Sequence, residues 1–209
     1  MTKTFLKAKH WQLFILAYGA IIIFYLFYIE PIMPNTTFGE SQDPELVLES
    51  FESMLNQFKY IPFIMMSYVL IYFGWLWSVA IGLGHKIPEN LKLKTGRFKL
   101  FFIVPILYIP IVMGFAVYLF KEISVTESIP NLSMLGLIIL LHFFSIFCIF
   151  YCIYFSAKTI KIAETQDGVT GDDFIGEFFL IWFFPVGIWL LQPRINKIIS
   201  GEVVDDEDW

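Results

Sequence analysis

The chain has 209 residues, of which 57% are apolar, 19% aromatic and 16% charged, and it carries a formal charge of −5. With a mean hydropathy of +0.69, this composition lies outside the range of soluble globular domains, in which about 25% of residues are charged. It shows no basic face and so no nucleic-acid footprint. The expectation is a single all-α polytopic membrane domain over 1–209.

Four apolar runs reach the roughly 20 residues that a spanning helix needs: 11–29, 61–84, 100–120 and 132–156. The first follows Lys3, Lys7, Lys9 and His10 and lacks a small-x-small cleavage site, so it reads as a retained signal anchor. Between the first and second runs, Asn35-Thr36-Thr37 matches the glycosylation tripeptide, a pattern common by chance. An amphipathic helix is expected over 44–58, capped by Asp43, with Val47, Leu48, Phe51, Met54, Leu55 and Phe58 on its apolar face. That face needs lipid headgroups, the tops of the spans or a partner beneath it.

In the second span Ser67, Gly74, Ser78 and Gly82 form a small-residue stripe, which lets helix backbones approach closely within the chain or across a homo-oligomer seam. The following loop, HKIPENLKLKTGRFK, is basic. Pro105, Pro110 and Gly114 in the third span are expected to bend it. In the fourth, His142, Ser145, Cys148, Cys152 and Ser156 share a face expected to look into the bundle. His142 is then either a hydrogen-bonded structural imidazole or a proton relay or ligand contact, and the two cysteines are buried free thiols.

The last apolar stretch, 173–191, has a core of only fourteen residues, 178–191. Cytoplasmic loops carry excess Lys and Arg. If the stretch returns to the side it left, twelve basic residues lie inside and two outside; if it crosses, the division is ten to four. The charge pattern therefore favours a re-entrant or interfacial segment, broken at Pro185, with the N-terminus and Arg194 cytoplasmic. Glu177 reads as a hydrated helix-end carboxylate, or else as one drawn into the bilayer. Ile195, Ile198 and Ile199 would lie on the membrane surface with Arg194 and Lys197 in water, followed by an acidic tail over 201–209. The run WFFPVGIWLLQPRIN resembles a C-terminal signature of bacterial membrane proteins, a resemblance that covers only this stretch and implies no activity.

No ligand set for haem or zinc, no phosphate-binding loop and no nucleophile elbow is present, so no catalytic, cofactor-binding or metal-ligating residue is assigned. The reading is a non-catalytic scaffold, accessory subunit or assembly factor in a bacterial plasma (inner) membrane, in contact with lipids and with a membrane-protein partner or further copies of itself. The alternatives are a small oligomeric transporter or channel using His142, and a metal-dependent enzyme acting on a lipid or prenyl pyrophosphate through Asp167, Asp172 and Asp173 and the 205–208 cluster.

Overall fold

The computed structural model describes residues 2–29, 60–126 and 132–202. The helix expected over 44–58, the Asn35 tripeptide and the 205–208 acidic cluster lie outside them. The elements are α1 (Thr2–Lys7), α2 (His10–Phe24) continued by a π turn (Tyr25–Ile29), α3 (Ile61–Gly82), α4 (Gly96–Thr126), α5 (Leu132–Thr165), α6 (Ile175–Trp182) and α7 (Phe184–Ser200). Single 3-10 turns occupy Leu83–Lys86, Glu89–Leu91 and Asp172–Phe174, and no strand occurs among the described residues.

Among the described residues four helices are long and apolar enough to cross a membrane: His10–Phe27, Ile61–Lys86, Gly96–Leu119 and Gly136–Thr165. A chain in hydrocarbon must satisfy its backbone groups within itself, and uninterrupted helices do so. α4 accordingly remains one helix through Pro105 and Pro110. α3 is the central helix, with 39% of its most apolar 18-residue stretch buried against 11% in those of α2 and of α4. Trp75, Leu76 and Val79 on α3 are fully enclosed.

The small-residue stripe of α3 seats α1 rather than another span. A side-chain carbon on Gly82 would lie 2.5 Å from Leu6 Cδ1 and 2.8 Å from Thr2 Cγ2, and one on Gly74 would lie 3.1 Å from the Phe5 ring. Ser78, between them, is buried and donates its hydroxyl to the Gly74 carbonyl at 2.7 Å. α1 therefore packs closely against the 74–82 stretch of α3, where small residues leave room for it.

The C-terminal stretch is a helical hairpin. Residues 177 and 194 would be about 25 Å apart along a continuous helix, yet Arg194 Nη2 lies 2.7 Å from Glu177 Oε1. The reversal occurs at Phe183 (φ −87°, ψ 56°). Pro185 falls in the first turn of α7, where its missing N–H costs nothing. It follows the break instead of making it. Gly187 permits the fold-back: a side-chain carbon there would overlap the Leu180 carbonyl and sit 3.0 Å from Leu180 Cα.

At the hairpin tip, Phe184 is 1% exposed and inserts among rings near the middle of α2 and α3. Its centroid lies 5.1 Å from that of Tyr72, 5.2 Å from Trp75, 6.4 Å from Tyr68 and 6.5 Å from Tyr18. The Tyr72 hydroxyl donates to the Ile181 carbonyl, one of those released where α6 ends. Along α7, Phe184, Ile188, Leu191, Ile195 and Ile198 recur at helical spacing and are buried. Ile195 and Ile198, expected on the membrane surface, belong to the core because α7 packs under α1 and α5 instead of lying flat.

Gly187→Ala should therefore destabilise the fold by about 2–3 kcal/mol, since backbone has to move to admit a methyl group. Gly114→Ala, where nothing lies within 4 Å, should change stability by under about 1 kcal/mol. Unfolding titrations in mixed micelles would measure both; equal effects would mean that α6 and α7 do not cross at Gly187.

Candidate functional site

Where the hairpin returns to the level of its entry, four charged side chains from three helices meet. Arg194 on α7 donates through Nε to Glu164 Oε1 of α5 at 2.8 Å and through Nη2 to Glu164 Oε2, a two-pronged pairing that suits the planar guanidinium. The same Nη2 donates to Glu177 Oε1 of α6. Lys161 Nζ, one turn before Glu164, stands 3.7 Å from an oxygen of each carboxylate. Two cations and two anions thus form a neutral cluster, with Glu177 2% and Arg194 5% exposed. Burial works against the Arg194 charge, but hydrogen bonds to Glu164 and then Glu177 outweigh it and raise its pKa.

A second polar set occupies the opposite face of α7. Gln192 is fully buried. Its Oε1 accepts from the Trp75 indole N–H at 2.8 Å, and its Nε2 donates to the Ala8 carbonyl at 2.9 Å and the Phe5 carbonyl at 3.1 Å. One turn on, Asn196 Nδ2 also donates to the Ala8 carbonyl, at 3.2 Å. These are the carbonyls that a helix leaves unpaired where it ends. α1 ends at Lys7 and the chain turns at Lys9 (φ −78°, ψ 151°) into α2, so Gln192 and Asn196 serve as its C-terminal cap.

The turn entering α6 is fixed locally. Asp173 Oδ2 accepts from the Thr170 N–H at 2.7 Å and the Thr170 hydroxyl at 2.9 Å. These bonds hold the Asp173 carboxyl below its usual pKa. The turn's stabilisation is accordingly complete above the ordinary carboxylate pKa and is lost as pH falls through the lower folded value. Nearby, Gln166 Nε2 donates to the Lys86 carbonyl at 2.9 Å, which sets the end of α5 beside the loop after α3.

Residues singled out in the sequence separate into three groups. Gly74, Ser78 and Gly82 form the seat for α1, while Ser67 is half-buried and donates its hydroxyl to the Ile64 carbonyl in its own turn. Ser145, Cys148, Cys152 and Ser156 are buried within the bundle, with both thiols free. His142, expected with them, is instead exposed on the outer face of the α4–α5 pair. There its Nδ1 lies 3.3 Å from the Tyr108 hydroxyl, which donates to the Ile138 carbonyl at 3.2 Å. One residue of helical rotation separates the two outcomes, because a stripe a third of the circumference wide has His142 at its edge.

Glu177 is neither hydrated nor alone, contrary to its reading as a water-exposed helix end. Its partners Arg194, Glu164 and Lys161 were missed as a site. So were Gln192 and Asn196, whose spacing of four directly after an apolar run is the signal that could have found them. Among the described residues no three His, Cys, Asp or Glu side chains gather as a metal site.

The described residues are thus all-helical but for turns and loops, with four helices long and apolar enough to span a membrane and a C-terminal hairpin locked by an ionic cluster. No protein-family model, curated protein or solved structure matches it.

Removing one partner of a buried ion pair leaves the other charge uncompensated, so Arg194→Met should cost about 3–5 kcal/mol. Arg194→Lys should recover little of it, because an ammonium cannot fork onto Glu164 while reaching Glu177. The same unfolding titrations would check this, and a lysine variant as stable as the parent would contradict it. Gln192→Leu should free α1, seen as faster proteolysis near Lys7 and Lys9.

Proposed function

We propose that this chain is a non-catalytic membrane scaffold, an accessory subunit or assembly factor that binds another membrane protein through the outer face of α4 and α5. The carrying observation is the exposed Tyr108–His142 pair. His142 lies about 24 Å along α5 from Lys158, inside a hydrocarbon layer roughly 30 Å thick, and its neighbours Leu140 and Phe143 are 68% and 66% exposed. An imidazole facing lipid is costly, because its second nitrogen finds no hydrogen-bond partner in hydrocarbon. A partner helix with a polar side chain at that depth removes the cost.

The chain is read as lying in a bacterial plasma membrane with its N-terminus, the loop at Lys86 and Arg194 all cytoplasmic. The α6–α7 hairpin is then re-entrant. From Phe184 to Gln192 is about 12 Å of helix, close to the depth of one leaflet, about 15 Å. Two features support this orientation: the basic residues cluster at that end, and Gln166 bonds to the Lys86 carbonyl beside the ionic cluster. The interior polar groups Arg194, Glu177, Gln192 and Ser78 are engaged with one another or with backbone, which favours a binding role over catalysis.

A photo-cross-linking residue at Phe143 tests the reading in cells, with Ile15, 59% exposed on α2, as the control position. The expected result is a discrete protein adduct from position 143 that weakens with His142→Leu, and lipid adducts alone from position 15. Lipid adducts alone from both positions would contradict the scaffold reading. Solute flux in proteoliposomes that His142→Leu abolishes would replace it with the transporter.

A further inference from the structure

α3 and α4 are joined through Trp77, Phe98 and Phe102, with ring centroids 4.9–5.9 Å apart. They leave an open groove of about 680 Å³ between them, walled almost wholly by apolar surface. Thr2 and Phe5 of α1 line its walls together with Lys99, which is exposed. We propose that this groove holds one acyl chain of an anionic phospholipid, with Lys99 against the headgroup phosphate.

The length of the groove fits one acyl chain. The α3 wall runs from Ser78 to Met66, about 18 Å at 1.5 Å per residue, close to the ~15 Å that a lipid chain spans in one leaflet of a 30 Å hydrocarbon layer. A groove of this volume is in the range of sites that enclose small molecules, about 300–1,000 Å³.

Charge selects the headgroup. Lys99 is at one end of that run, opposite Met66 and Pro110, and it closes a basic segment that contains Lys92, Lys94 and Arg97. Lys92 is neutralised locally by Glu89, whereas Lys99 stands one turn inside α4, where a phosphate at the hydrocarbon boundary meets it. The apolar length and the lysine at its head match an anionic lipid in whichever leaflet lies at that end. The site is therefore independent of the scaffold reading.

Native mass spectrometry of the purified full chain, with phosphatidylglycerol or phosphatidylcholine added back, tests the assignment. One phosphatidylglycerol per chain should survive preferentially. Lys99→Gln should lower that preference about fivefold, the effect of one lysine near a charged headgroup. Ile103→Trp and Leu70→Trp, each filling the groove from a position already more than half exposed, should abolish retention of both lipids. Leu140→Trp, on the α5 surface, should leave retention unchanged. Equal retention of the two lipids, or retention untouched by Ile103→Trp in a protein of parental stability, would overturn the proposal.

Discussion

Arg194 is held between Glu164 and Glu177, and the course of everything after α5 depends on that contact. Taking a guanidinium out of water costs several kcal/mol, so it is tolerated only where carboxylates meet it with good geometry. The two carboxylates belong to different helices. Glu164 ends the last long span, and Glu177 begins the short arm of the hairpin. A single side chain therefore fixes the length of the excursion between residues 177 and 194, because any other path leaves a buried charge uncompensated.

α7 is clamped from its other side by the same arithmetic of helical rotation. Residues two apart on a helix point about 200° away from each other, and residues four apart nearly coincide. Gln192 and Asn196 thus face α1 while Arg194 faces α5 and α6. Pro193 stands between them. The QPRIN segment joins the first helix of the chain to the last through Ala8 and Gln192, and to the middle through Trp75. The hairpin tip is fastened by aromatic packing around Phe184, the return by ions and amides. The polar fastening sits at one end of the bundle, leaving the long faces of α2, α4 and α5 apolar and available to lipid or protein.

Much of this was legible from residue order, in unequal measure. The long apolar helices were readable because hydrocarbon admits little else, and a break in 173–191 was readable from Pro185, two residues past the turn at Phe183. The seat on α3 was visible as small residues, but its occupant was not: α1 is six residues long, too short to announce itself by periodicity. The ionic cluster escaped for another reason. Its members at 161, 164, 177 and 194 come from three helices, and beyond the one-turn pair at 161 and 164 no spacing in the chain relates them until the hairpin closes. His142 was misplaced by a fraction of a turn, since a polar residue at the edge of a stripe can face either the bundle or its surroundings.

The account turns on whether residues beyond Arg194 share a compartment with the loop that follows α3. Single cysteines at Lys94 and Ser200, in a chain with Cys148 and Cys152 replaced by serine, can be labelled with a membrane-impermeant maleimide. Intact cells and inverted membrane vesicles expose opposite sides. Both positions should stay unlabelled in cells and react in inverted vesicles. Reaction of the cysteine at 200 in intact cells, with the cysteine at 94 protected, would show that the C-terminal stretch crosses the membrane and that Arg194 cannot hold Glu164 and Glu177.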